Sequence, residues 1–214
     1  LESISETNGL ARWKRSEVKA ERLSAKELAQ KVHDIEQKLL NDGDPEEFLH
    51  ERAPACHNLG HGREVGSGGR AFRCEYHANL AAKTTALFRQ AALIYVYTVQ
   101  SGTRPRVWEI KASVTEAVRL LKICAETGLL DYVSWPLCVT GCMMGCETDE
   151  DREARIWLSK TLEGLIRHAP NTAKLLDIWS AIRKGWRVLD GAGASESNIL
   201  ELMNELGVDV SEII

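Results

Sequence analysis

Between Leu129 and Cys146 the chain is apolar almost all round, with Trp135-Pro136 inside the run. A helix without a polar face has to be enclosed by other elements. The rest of the sequence must therefore supply a layer of partners around this segment, and those partners read as helices.

Strand signals are nearly absent, and helix punctuation is frequent. Ser24-Ala25-Lys26-Glu27 has the form of a capping box, in which Ser accepts from one free amide and Glu returns to another. Leu28, Val32, Ile35 and Leu39 follow at helical spacing and form one apolar stripe. Asp42-Gly43 ends that helix, and Asp44-Pro45-Glu46-Glu47 predicts a short new one, with Pro suited to the first turn. From Ala53 to Arg70 the periodicity disappears, and Gly60, Gly62, Gly66, Gly68 and Gly69 predict a flexible loop.

Ala71 to Gln100 reads as one long helix or two abutting ones, stopped by Gly102 and Pro105. Arg106 to Thr127 is the next, closed by Gly128 at a left-handed cap. Thr148-Asp149-Glu150-Asp151 caps a helix running to about His168. Pro170-Asn171-Thr172 restarts the chain, and Leu175, Ile178, Trp179, Ile182 and Trp186 form a further stripe. Ser195 to Leu206 predicts a last short helix, ended by Gly207. The expected fold is all-α: a helical arm and Gly-rich loop over 1–69, then a bundle or array of stacked helices over 70–214.

With 44% apolar and 27% charged residues, the composition suits a folded globular chain and argues against wholesale disorder. The formal charge of −4 argues against nucleic-acid binding through bulk positive charge. No stretch reaches the roughly 18 uncharged apolar residues of a membrane helix. The start, Leu1-Glu2-Ser3, does not read as a signal peptide and suggests a fragment with a domain upstream. Six cysteines scattered among long helical segments point to a reducing compartment rather than a disulfide-stapled secreted domain.

Two Cys-containing patterns invite a metal reading. Cys138, Cys142 and Cys146 would lie along one face of a helix, where three thiolates could hold a soft metal. Structural zinc sites use close pairs on tight turns plus a fourth ligand, and no such pair is nearby, so packing is the expected role. Cys56, His57, His61, Cys74 and His77 bracket the Gly-rich loop, but their order does not fit a finger. No metal or cofactor site is expected in this segment. Arg12, Lys14, Arg15, Lys19 and Arg22 could touch phosphates, yet Glu17 and Glu21 interleave with them, and a solvated helix face is the simpler account. There is no Gly-x-Ser-x-Gly, His-Glu-x-x-His, Walker loop or Gly-x-Gly-x-x-Gly, so no catalytic residue is assigned and no enzyme expected.

Three segments, in order along the chain, carry a resemblance. They are Leu87-Phe88-Arg89-Gln90-Ala91-Ala92-Leu93-Ile94-Tyr95-Val96-Tyr97, then Ser134-Trp135-Pro136-Leu137-Cys138-Val139-Thr140-Gly141-Cys142, then Trp179 and Trp186 with Leu202-Met203-Asn204-Glu205-Leu206-Gly207. Together they resemble the fungal-specific transcription factor domain that commonly lies C-terminal to a Zn2Cys6 cluster. The match covers roughly Arg70 to Ile214. The six grouped cysteines of that cluster are absent here, so zinc is expected only in an upstream DNA-reading module.

The resemblance implies nuclear transcriptional regulation, without direct DNA contact by this segment and without a membrane. Its implied partners are the transcription machinery, a second copy, or a small hydrophobic effector held between helices. The family-motif residues are Arg89, Tyr95, Trp135, Pro136, Gly141 and Cys142, expected to pack or to line such a pocket. Gly141 and Gly145, one turn apart, would let another helix approach closely. A generic helical scaffold for protein contacts is the alternative, and an enzyme on a helical bundle a distant third.

Trp135 is the most diagnostic of these positions. As a buried anchor, its replacement in Trp135→Ala should destabilise the chain by about 3–5 kcal/mol, measured as a lowered denaturation midpoint. An unchanged midpoint with lost regulation would instead place Trp135 on a functional surface.

Overall fold

The computed structural model describes residues 2–41, 68–168 and 173–191. Among them are seven α-helices and no strand, so the chain is all-α. The short helix expected after Asp44 and the closing helix expected over Ser195–Leu206 lie outside the described residues. So does the Gly-rich loop up to residue 67, while its last residues, Gly68 to Arg70, already belong to a helix.

Helix α1 (Glu2–Lys19) and α2 (Ala25–Asn41) form an antiparallel pair. The turn between them is a Schellman motif: the Arg22 amide donates to the Glu17 carbonyl (3.0 Å) and the Glu21 amide to that of Val18 (3.1 Å). Glu21 therefore lies beyond α1, at φ 54°, instead of pairing along the helix as its spacing suggested. α2 starts as the capping box predicts, with the Glu27 amide donating to Ser24 Oγ (3.4 Å). Its stripe Leu28, Val32, Ile35 and Leu39 is buried, each such side chain contributing about 1.5–3 kcal/mol relative to exposure.

That stripe rests on α3 (Gly68–Ser101), one unbroken helix. Every residue of α3 from 91 to 99 is buried, because α1 and α2 cover one side and later helices the other. Polar ties fix the arm in place. Lys14 Nζ donates to the Val99 carbonyl, and Tyr97 donates its hydroxyl to Glu36 Oε1 (2.6 Å). Lys14 thus leaves the solvated face predicted for it, while Arg12, Arg15 and Lys19 stay exposed. Burial and the Glu36 bond push the Tyr97 phenol far above its ordinary range.

α3 stops at Gly102, whose φ of 76° suits only glycine at low cost. α4 (Trp108–Glu126) closes on a second Schellman motif, with the Leu129 amide on the Cys124 carbonyl (2.8 Å) and Gly128 at φ 71°. The apolar run then divides instead of forming one helix. A single 3-10 turn, Leu130–Val133, leads into the ten-residue α5 (Ser134–Met143), and all ten residues are buried. α5 packs on α3, α4 and α7, as an element without a polar face requires.

α6 (Asp149–His168) opens on a reciprocal cap. The Asp151 amide donates to Thr148 Oγ1, and the Thr148 amide to Asp151 Oδ2, both at 3.1 Å. α7 (Ala173–Asp190) buries Leu175, Ile178, Trp179 and Ile182.

The two Schellman turns differ in one respect: the left-handed position holds Gly128 in one and exposed Glu21 in the other. A non-glycine residue there costs roughly 1–2 kcal/mol. Glu21→Gly should therefore raise stability by about 0.5–1 kcal/mol, read as a higher denaturant midpoint at unchanged slope. A lower midpoint would mean that the arm's turn is held by Glu21 itself.

Candidate functional site

The family-motif residues other than Arg89 meet on and around α5. Pro136 is its third residue, within the first turn, where amides have no intrahelical acceptor and a missing N–H costs little. Just before it, Ser134 Oγ donates to the Asp131 carbonyl (3.0 Å) and fixes the junction with the 3-10 turn. This geometry swings Trp135 onto α3. Its ring stacks on Phe88 (6.1 Å, 20°) and tilts against Tyr95 (6.5 Å, 48°), and only 4% of it is exposed. Burial pushes the Tyr95 phenol up, while the nearby cations of Arg15 and Arg12 oppose the shift. Arg89 follows Phe88 on α3 and is half-buried.

The other end of α5 meets α7. A methyl on Gly141 would stand 2.5 Å from Ile182 Cδ1 and 2.8 Å from Ile182 Cγ1. A methyl on Gly185 would stand 3.3 Å from Cys142 Cα. One glycine on each helix thus permits the close crossing. Gly185 fills the role that the sequence suggested for Gly145, which lies past the end of α5. The crossing brings Trp186 within reach of the α5 backbone, and its indole N–H donates to the Gly141 carbonyl (2.8 Å). Trp179 packs edge-on against Trp186 at 5.5 Å.

Arg155 of α6 completes the site. It is 9% exposed, and Nε (3.0 Å) and Nη2 (2.7 Å) both donate to the Met144 carbonyl at the end of α5. Nη1 donates to Asp190 Oδ2 at the end of α7 (2.7 Å), and the guanidinium lies 4.8 Å over the Trp186 ring. Asp190 Oδ1 accepts from the Cys146 thiol (3.2 Å). The bond from Arg155 holds the Asp190 carboxyl below its ordinary range, and the bond to Asp190 pushes the Cys146 thiol up. Sequence reasoning passed over Arg155 and Asp190. The usable signal was an Arg standing in the apolar stripe of α6, at helical spacing from Leu158 and Leu162.

Cys146 lies beyond α5, half-buried, so the three cysteines do not share one helix face. Cys138 and Cys142 are buried, and their mutual bond, then burial, pushes the Cys142 thiol well above its ordinary range. Among the described residues no group of three His, Cys, Asp or Glu is placed to hold a metal. Cys56, His57 and His61 lie outside the described residues. A small cleft of about 30 Å³, between the starts of α4 and α6, has Lys111, Asp151 and Met143 on its walls. None of the six motif residues lines it. Their arrangement is that of a packed core junction, with polar groups spent on helix ends.

Comparison with known proteins agrees in kind. The sequence model described as a fungal specific transcription factor domain matches residues 1–213. The trichothecene biosynthesis transcription regulator TRI10 of Trichoderma arundinaceum is 31% identical over 141 residues, covering 66% of this chain and 26% of that protein. The ustiloxin B cluster transcription factor ustR of Aspergillus flavus is 30% identical over 145 residues, covering 67% of this chain and 22% of that protein. The transcription factor dibT of Pestalotiopsis microspora is 36% identical over 62 residues, covering 29% of this chain and 10% of that protein. The chain thus spans about a quarter of the length of the TRI10 regulators it matches. No solved structure matches it.

The Arg155 junction can be tested by substitution. Arg155→Met keeps an apolar stem but leaves the Met144 carbonyl and Asp190 Oδ2 unanswered, for an expected loss of about 2 kcal/mol. Asp190 is 43% exposed, so its charge–charge share is screened, and most of the loss comes from the carbonyl. The lowered Asp190 pKa gives a contribution that is full above about pH 4 and disappears as pH falls through that lowered value. Wild type should therefore lose stability on acidification in that window more steeply than Arg155→Met. Equal midpoints at neutral pH would remove Arg155 from its place in the fold.

Proposed function

The chain belongs to the fungal-specific transcription factor domain family, and on that premise we propose that it is the regulatory, non-DNA-reading part of a nuclear transcription factor. The observation that carries this reading is the extent of the match, 1–213, joined to relatives that are all transcription regulators. The domain acts through contacts: within its own protein, with the transcription machinery, with a second copy or with a small hydrophobic effector. DNA recognition and zinc belong to a separate module of the longer protein, since a net charge of −4 and ungrouped cysteines suit neither here. Two relatives are named for trichothecene biosynthesis and the ustiloxin B cluster. By that likeness, the target genes here are those of a biosynthetic cluster.

The packed junction supports a regulatory rather than a catalytic role. Of the groups with shifted titration beside α5, the Cys142 thiol is bonded to Cys138, the Asp190 carboxyl to Arg155 and the Cys146 thiol to Asp190. The Cys146 thiol does donate to Asp190, but Arg155 holds that carboxyl below its ordinary range and the thiol is pushed up, so the pair is poorly suited to generate a thiolate.

Fusing the chain to an unrelated DNA-reading module tests the proposal. Reporter output should change several-fold against the module alone while promoter occupancy stays the same. The isolated chain should show no sequence-selective DNA affinity in a salt-controlled titration. Nanomolar selective binding, or output indifferent to the domain, would overturn the reading.

A further inference from the structure

The outer face of α4 is continuous and uncovered among the described residues. Trp108, Ala112, Thr115 and Arg119 follow one another at helical spacing, and all four are exposed. Trp108 is 77% exposed, more than any other large apolar side chain among the described residues. That sets it apart from the other tryptophans of the chain. Trp13, Trp157, Trp179 and Trp186 each carry a lysine or arginine over the ring, at 4.8 to 5.6 Å, and Trp135 stacks on Phe88. Trp108 has neither kind of partner among the described residues.

A cation suited to it stands on the same face. Arg119 is more than half exposed, and Glu116 accepts from both its Nε (2.8 Å) and its Nη2 (2.6 Å). Those two bonds fix the plane of the guanidinium and leave Nη1 and its flat sides uncommitted. Arg119 is about 16 Å from Trp108 along the helix, too far to cover the ring within one chain. Between the two stand only the small side chains of Ala112 and Thr115.

We propose that a second copy of the chain docks here, its α4 antiparallel to this one about a two-fold axis level with Ser113 and Val114. Ala112 then meets the partner's Thr115, and these small side chains let the helices approach closely. Trp108 and the partner's Arg119 share one level, about 8 Å from the axis, so the guanidinium covers the ring. The two-fold makes this pair twice, and Trp and Arg are the residues enriched at the energetic centres of interfaces. The exposed carboxylate of Glu109 lies beside Trp108, so the partner's Arg119 stands between it and the partner's Glu116 and offsets their repulsion. A parallel pair would set Trp108 against the partner's Trp108 and cation against cation, so the face selects the antiparallel arrangement. One helix pair is a small interface, and the dimer is weak, with a Kd on the order of 10 μM. This names the surface for the second copy among the contacts of the regulatory reading. It rests on that reading for its consequence, that two copies of the longer protein act together.

Sedimentation equilibrium of the full chain, over concentrations bracketing that Kd, tests this. A monomer–dimer equilibrium is expected, without larger species, because a two-fold face closes on itself. Trp108→Ala and Arg119→Ala should each weaken it about tenfold or more, at an unchanged denaturation midpoint, since both side chains are exposed. Arg119→Lys, which keeps a cation, should weaken it less than Arg119→Ala. Mild oxidation of Ala112→Cys mixed with Thr115→Cys should join the two variants faster than it joins either to itself. A monomer at every concentration would overturn the proposal and leave the face to a different occupant. So would a dimer indifferent to Trp108→Ala, or Ala112→Cys joining preferentially to itself. Association is read without transcriptional output. A reporter indifferent to the domain beside an intact dimer overturns the regulatory reading alone, and a monomer beside a responsive reporter overturns this interface alone.

Discussion

α5 keeps all ten of its residues from water, so the carbonyls of its last turn have to be answered inside the protein. An unpaired buried acceptor costs about 1–3 kcal/mol, a large share of the stability of a domain this size. Beside the Met144 amide, which reaches the Gly141 carbonyl (3.3 Å), two side chains from two other helices supply the answer. Trp186 donates to the Gly141 carbonyl, and Arg155 gives two of its donors to Met144. Arg155 then needs a counter-charge for its remaining fork, which Asp190 provides at the end of α7. The negative end of the α5 dipole also favours a cation there. The burial of one short helix thus dictates how three helices meet.

That meeting requires close approach. An indole N–H on α7 reaches the α5 backbone only if the two helices nearly touch, and Gly141 and Gly185 remove the side chains that would hold them apart. Ile182 fills the space above Gly141, and the Cys142 backbone lies against Gly185. The Trp-Pro-Leu segment and the later Trp-bearing helix are therefore two halves of one contact. At the opposite end of α5, Pro136 in the first turn sets Trp135 against Phe88 and Tyr95. Every motif residue on α5 serves a helix start, a crossing or a helix end.

The elements themselves were legible because each carried a local signature. The stripe of α2, the Thr148 cap and the Gly128 stop are written in residues close together in sequence. What escaped were features that local patterns do not encode. The apolar run from Leu129 divides into a turn and a helix because the chain must reverse against α4, and apolarity alone does not show where. Gly145 looked as useful as Gly141 until the end of α5 was known. Arg155 was hidden by composition, one cation among many on a charged helix. Its meaning came from standing in the buried stripe and meeting a carbonyl and a carboxylate on other helices.

The arm and the α5 junction share a wall. Tyr95 and Tyr97 are two residues apart on α3 and so point to nearly opposite sides of it. Tyr95 touches Trp135, whereas Tyr97 holds Glu36 of α2. The nine residues from 91 to 99 are buried only because both sides are covered. Lifting α1 and α2 away would expose one apolar side of α3, besides stranding the Tyr97 hydroxyl and the Val99 carbonyl near the helix end. Close packing leaves little slack for the other side to ignore such a change. A displaced arm would be felt at Trp135 through α3, and a shifted Trp135 would be felt at the arm. The match of the family model from residue 1 onward has a physical counterpart here, since residues 91 to 99 of α3 are enclosed only with the arm in place.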